Sequence, residues 1–178
     1  AASFSTISEE GKAPYYLNYF LGEKESSWAG GVYPAKGITI HEVYPGVDMV
    51  LSTEQGNLKY AFRVAPGSDP AVIRMAWEHG GRIRIARSGN LLITTPLGEL
   101  DEQAPKAWTM QTGFQHSVPC HFSLEKNIVS FALPEGYSVT DTLVIDPTLV
   151  FASYSGSTID NWGYSATYDE DGFLYAAG

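Results

Sequence analysis

The chain holds one cysteine, Cys120, in 178 residues, so no intrachain disulfide can form and a packed core must supply the stability. No stretch approaches the roughly 20 apolar residues of a membrane-spanning helix. Charged residues make up only 17%, below the usual quarter, and no segment of ordinary helix length shows an amphipathic helical period. Basic residues are the scarcer sign: 11 Lys and Arg face 20 Asp and Glu, for a net charge of −9 and a pI near 4.8. A diffuse acidic surface repels nucleic acid and anionic membranes, so neither is expected as a partner. The opening AASFSTISEEGK has neither the basic nor the apolar part of a leader, and it does not start on Met. It reads as a chain whose leader has been removed, or as a piece of a longer one.

What the chain has in plenty is glycine (18) and tyrosine (11), with 44% apolar residues, a bias that suits strands and tight turns. A chain of this size can bury roughly 70% of its unfolded surface. A strand is expected at residues 3–7, followed by a Glu-Glu-Gly turn. The aromatic stretch 15–21 reads as a buried strand, and residues 23–28 as one helical turn ended by Gly30-Gly31. Strands at 38–43 and 47–52 flank Tyr44-Pro45-Gly46, a strong turn signal. After a turn at Gln55-Gly56-Asn57, Leu58, Tyr60, Phe62 and Val64 alternate with Lys59, Ala61 and Arg63. That period of two predicts a half-buried strand. Residues 65–70 form a loop, and 71–77 fit a strand or a helix, with the strand favoured because Val72 and Ile73 precede a continuing β pattern.

Residues 82–86 and 91–95 read as a hairpin across Arg87-Ser88-Gly89-Asn90. A turn at Pro96-Leu97-Gly98 leads into 99–103, and 105–112, 118–124 and 128–133 continue the meander. Residues 143–145 close it. Short strands at about 8–12-residue spacing point to an all-β fold, an antiparallel β-sandwich or barrel-like domain.

Two stretches carry a resemblance. Tyr44-Pro45-Gly46-Val47-Asp48-Met49-Val50, then residues 58–70 (LKYAFRVAPGSDP), resemble the signature of a domain of unassigned function that stands in front of SBBP repeats, which are named for β-propellers. Gly89-Asn90-Leu91, residues 94–98 and 102–108, and Leu143-Val144-Ile145-Asp146-Pro147 agree in order. Ser153-Tyr154-Ser155-Gly156, Trp162-Gly163 and residues 169–172 and 175–178 then resemble the opening of a first repeat. The resemblance implies a large exported surface protein of the kind found in gliding and related Gram-negative bacteria. Such proteins often carry signals for type IX secretion or a gliding-motility-associated domain. It implies no catalytic residue.

The division expected is a front β domain over residues 1–147, its N-terminal part incomplete or divergent, and the start of a propeller-type repeat over 148–178. Pro147 lacks a backbone donor, so Asp146-Pro147 is expected to end one ladder, with 148–154 opening the next. Residues 163–168 and 173–177 would pair across Asp169-Glu170-Asp171-Gly172. One strand pair cannot bury its apolar face alone, so the natural protein is expected to continue past Gly178.

The search for chemistry yields bland readings. The acidic turn at 169–172 lacks the further oxygen ligands of a calcium loop and reads as a hairpin turn. His116, Cys120 and His121 are the compact set of soft ligands, but Cys120 and Phe122 face one way and His121 the other. Cys120 reads as a small buried apolar residue. His41-Glu42 and Glu78-His79 would point to opposite faces of a strand. Glu99, Asp101 and Glu102 read as a solvated edge strand rather than glycosidase carboxylates. Arg74, Arg82, Arg84 and Arg87 form the basic stretch, with Arg82 and Arg84 on one strand face as a solvated surface, or else an anion or glycan patch. Tyr15, Tyr16, Tyr19, Phe20 and Trp28 would pack in the core, or else stack on sugar.

No catalytic, cofactor-binding or metal residue is assigned, and no cofactor is expected. The reading is a non-enzymatic structural or interaction module of a secreted or cell-surface protein, exported through the outer membrane and serving as scaffold, in adhesion or in motility. Its partners would be the propeller of the same chain and a protein or cell-surface glycan. The alternatives are a carbohydrate-binding module and the non-catalytic part of a secreted hydrolase.

Overall fold

The computed structural model describes residues 6–54, 57–77, 81–95, 98–111, 113–150, 165–168 and 174–177. Among them are sixteen strands, two short 3-10 turns and no α-helix. Strand β1 (Thr6–Lys12) pairs antiparallel with β4 (Ala35–Tyr44), and between them a smaller pair, β2 (Leu17–Tyr19) and β3 (Ala29–Val32), extends the same hairpin. Then follow β5 (Val47–Glu54), β6 (Asn57–Val64), β7 (Met75–Ala76), β8 (Ile83–Ile85) and β9 (Leu91–Thr95). The long β10 (Gly98–Gln111) precedes β11 (Phe114–Val118), β12 (His121–Glu125), β13 (Ile128–Ala132) and β14 (Thr142–Val150). A separate pair, β15 (Ser165–Tyr168) and β16 (Leu174–Ala177), ends the described residues.

The main sheet has nine strands in the order β1-β4-β5-β6-β14-β10-β9-β8, with β11 on the far half of β10. A three-stranded sheet, β12-β13-β7, provides the second layer. Alternation decides which side chains meet between them. Phe62 and Val64 of β6, Val47 of β5, Leu143 and Ile145 of β14, Ala107 of β10 and Leu91 and Ile93 of β9 are buried on one face. Phe122, Val129 and Phe131 of the small sheet are buried with them. The Phe62 and Phe131 rings lie 5.9 Å apart and Phe122 and Phe131 5.7 Å apart, so three aromatic rings tie the layers together. The expected all-β, sandwich-like architecture is what forms.

Several local expectations are corrected. β1 runs straight through Glu9-Glu10-Gly11, where a turn was expected (residues 1–5 lie outside the described ones). The stretch 15–21 contributes only the three-residue β2 and is exposed throughout. Residues 71–77 split into a 3-10 turn, Pro70–Val72, and the two-residue β7. Strand β11 occupies residues 114–117, where no strand was expected, and ends on Val118.

The ladder does not end at Asp146-Pro147. β14 continues to Val150 and stays paired with β10, through Lys106↔Asp146 and then Gln103↔Thr148. Two residues of β10, Ala104 and Pro105, oppose the single Pro147 in a bulge. Both prolines lack an N–H, so this one irregularity accommodates two missing donors at once. The turns expected at Gln55-Gly56 and Pro96-Leu97 lie outside the described residues, as do residues 151–164 and the acidic turn at 169–172. The strands on either side of that turn do pair, from Ser165↔Ala177 to Tyr168↔Leu174.

Gly46 makes the β4–β5 turn at φ +69°, and a Cβ there would lie 2.0 Å from Ser68 Oγ. Gly67 has a similar φ of +76° but open space around the same position. Gly67→Ala should therefore cost only the left-handed penalty of about 1–2 kcal/mol. Gly46→Ala carries the same penalty plus a backbone or Ser68 displacement, and should cost on the order of 3 kcal/mol. Urea unfolding of both variants checks this, and equal losses would remove the steric argument.

Candidate functional site

The sequence-selected groups separate in three dimensions. Cys120 is buried and its thiol is pushed up to about 11 by that burial, while His116 and His121 are exposed. Arg84 of β8 donates to Glu99 of β10 at 3.0 Å, so one of the strand arginines reaches across β9 to a carboxylate two strands away. Asn90 Nδ2 donates to Asp101 at 2.8 Å. Glu78 and His79 lie outside the described residues. The solvated-edge reading of Glu99, Asp101 and Glu102 fails in one respect: β10 lies between β14 and β9, and Glu102 is 0% exposed.

Glu102 reaches the core face beside Tyr60, whose hydroxyl donates to Glu102 Oε1. Glu102 Oε2 has no partner among the described residues. Burial pushes the Glu102 carboxyl above its ordinary range, and the Tyr60 bond only partly opposes this. Burial, then the neighbouring carboxyl, pushes the Tyr60 phenol strongly up as well. Both groups favour their neutral forms. A neutral carboxyl is far cheaper to bury than a charged one.

On the outer face of the sheet a second set assembles across β1, β4 and β5. Ser8 Oγ lies 2.8 Å from His41 Nε2, and His41 Nδ1 lies 3.1 Å from Asp48 Oδ2. An ionised carboxylate only accepts, so in the neutral ring Nδ1–H donates to Asp48 and Nε2 accepts the Ser8 hydroxyl proton. The order hydroxyl, imidazole, carboxylate is that of an activated nucleophile. The same atoms also have a structural task. Asp48 Oδ1 accepts the N–H of Glu42 at 2.8 Å, and Glu42 sits at φ 50° in the bulge where β4 and β5 change register. Asp48 thereby satisfies the backbone of a strained residue.

Beside this row, Thr39 Oγ1 and Arg63 Nη1 both donate to Glu10 Oε1, the latter at 2.9 Å. These bonds, the Thr39 one foremost, hold the Glu10 carboxyl below its usual range. The cation nearest Asp48 in register is thus engaged by another carboxylate. It does not stand ready where an acyl oxyanion would need donors. The sequence hid the row because the bulge sets Asp48 opposite three residues of β4, between the pairs Ile40↔Met49 and Tyr44↔Val47.

Two apolar surfaces remain. The hairpin tip beyond Lys12↔Ala35 exposes all five aromatics expected in the core: Tyr15, Tyr16, Tyr19, Phe20 at 64%, and Trp28. The Phe20 and Trp28 rings meet edge to face at 5.4 Å, and Trp28 Nε1 donates to Gly22 O at 3.0 Å. The second surface lies in the middle of the outer sheet face, where Trp108 and Met110 of β10, Val144 of β14 and Ala61 and Val50 of neighbouring strands line a hollow of about 340 Å³.

Glu102 gives a pH test whose sign follows from its surroundings. An acid with a raised folded pKa keeps its proton in the folded chain after the unfolded chain has lost it. Its contribution to stability therefore falls as pH rises above the unfolded value of ~4.3, by up to about 1.4 kcal/mol per pH unit, until the folded carboxyl ionises. Glu102→Gln removes that decline. Measured by chemical denaturation, the variant should gain on the parent from pH 4 upward, and parallel curves would refute a neutral Glu102. Tyr60→Phe should cost about 1–3 kcal/mol by leaving the carboxyl without its donor.

No curated protein and no solved structure matches the chain. A family profile described as a domain of unknown function, DUF7948, matches residues 1–148, which spans both layers of the sandwich except the last two residues of β14. The chain belongs to the family of the domain of unknown function DUF7948.

Proposed function

We propose that this chain is a non-enzymatic structural and interaction module of a secreted or cell-surface multidomain protein. The observation that carries the reading is how its reactive groups are employed. Asp48 holds a strained bulge, Glu10 gathers Thr39 and Arg63, and Glu102 is sealed in the core with Tyr60. Each is spent on holding strands together. In the full protein the domain serves as a scaffold that seats a β-propeller of SBBP-type repeats, in adhesion or in a motility- or secretion-associated assembly. The resemblance of residues 153–178 to the opening of such a repeat supports this, and so does the antiparallel pairing of β15 with β16. Export across the outer membrane by type IX secretion follows from the same resemblance.

The exposed aromatics of the hairpin tip favour a second reading, a carbohydrate-binding module. Large apolar rings with polar tips, unburied and grouped, are what a sugar-binding surface needs.

Purified chain offered chromogenic acyl esters, glycosides and phosphoesters should show no turnover above that of Ser8→Ala and Glu102→Gln. Turnover lost on Ser8→Ala would replace the structural reading with a hydrolytic one. Protease treatment of intact cells carrying the full-length protein should remove it from the surface, and its full protection would contradict the proposed location.

A further inference from the structure

We infer that Trp108 and the two hollows beside it form a binding site for uncharged pyranose units of a polysaccharide, an inference that rests on the carbohydrate-binding reading. Trp108 lies on the outer face of the main sheet, half-buried, with its backbone paired to Val144 of β14 on one side and Ser117 of β11 on the other. Its backbone is held from both flanks and the residue is half-buried, so the strand that carries the ring needs no ordering on binding. It forms a wall of both hollows, about 340 Å³ towards β6 and about 490 Å³ towards β11. Each lies in the range of small-ligand sites. Two hollows on either side of one flat ring suit consecutive units of a chain better than a single compact ligand.

The chemistry of the lining selects the class. A pyranose presents a face of C–H groups, which packs on an apolar ring, and a rim of hydroxyls that both donate and accept. Val144 and Ala61 continue the apolar floor from Trp108, and Ser52, Asp146 and Gln115 supply polar groups around it. The charges in the first hollow are matched: Lys59 Nζ lies 3.6 Å from Asp146 Oδ2, and Arg63 is bonded to Glu10. An anionic ligand would have to compete with those carboxylates and approach a chain of net charge −9. An uncharged ligand meets no such opposition and can hydrogen-bond to the paired groups as they stand. This site is separate from the hairpin tip, which carries Trp28.

Affinity electrophoresis of the intact chain through gels containing a β-1,3-glucan, a β-1,4-glucan, a β-1,4-xylan, an α-1,4-glucan or an α-mannan tests the inference, with alginate as the anionic comparison. At least one neutral polysaccharide should retard the parent and alginate should not. Trp108→Ala should weaken that binding at least tenfold, and Ile7→Ala, an exposed position on the edge strand β1 outside both hollows, should change it by less than twofold. Should Trp108→Ala fail to fold, Ala61→Phe, which fills the first hollow, decides by the same tenfold criterion once its near-ultraviolet circular dichroism matches the parent. Binding lost with Trp28→Ala but kept with Ala61→Phe would overturn this site while leaving the carbohydrate reading in place at the hairpin tip. Retardation by none of the neutral polysaccharides would overturn both, and retardation by alginate alone would overturn the assignment of an uncharged ligand.

Discussion

The insertion of β14 between β6 and β10 is the pairing on which the rest of the molecule depends. Without it the sheet would be two separate pieces, β1-β4-β5-β6 and β8-β9-β10-β11, each built from neighbours in sequence. β14 joins them by pairing Leu143 with Val64 on one side and Thr109 on the other. Its inward side chains, Leu143, Ile145 and Pro147, are fully buried and belong to the core that the small sheet covers. Its outward side chains, Val144 and Asp146, line the hollow beside Trp108. Core and outer surface therefore form together, late in the order of chain synthesis. A contact between β6 and β14 spans some 80 residues of chain, which places this fold among the slow, high-contact-order kinds.

Local pattern was legible where one physical rule acts alone. The alternation in β6 places Phe62 and Val64 in the core as its period requires, and the Tyr44-Pro45-Gly46 turn appears between β4 and β5. The reading failed where two rules meet at a distance. Pro147 by itself argues for the end of a ladder, and Pro105 by itself argues for a break in β10. Neither inference holds once the two prolines face each other in one bulge, a relation that 42 residues of separation conceal. Glu102 failed for a related reason. Its neighbours Glu99 and Asp101 are polar and accessible, and only the bond from Tyr60, again 42 residues away, accounts for a carboxyl inside.

The aromatic tip was misread through a different route. Hydrophobic content along the chain reports what would gain from burial, not whether a partner surface lies within reach. The extension of the β1–β4 hairpin carries residues 13–34 beyond the main sheet, joined to it through Lys12↔Ala35 and the bond from Ala13 N to Pro34 O. Aromatic pairs such as Phe20 with Trp28 and Tyr16 with Tyr33 give the tip local order. They leave most of its apolar area facing water. The Ser8–His41–Asp48 row was hidden because a bulge breaks the simple correspondence across a turn on which register arguments rely.

The two faces of the main sheet show different kinds of organisation. The inner face is mainly apolar and covered, with the Glu102–Tyr60 pair and Thr109 as buried polar side chains. On the outer face three ion pairs hold the charges: Arg63 with Glu10, Lys59 with Asp146, and Arg84 with Glu99. Among them the centre carries an apolar series in which Val50 pairs across to Ala61 and Val144 to Trp108. In this series Trp108 and Val144 are half-buried and Val50 is 8% exposed. The ion pairs keep these charged groups occupied, and the central strands that carry the series are paired on both sides. An apolar series set among paired charges, on strands paired on both sides, is what the inferred binding site would draw on.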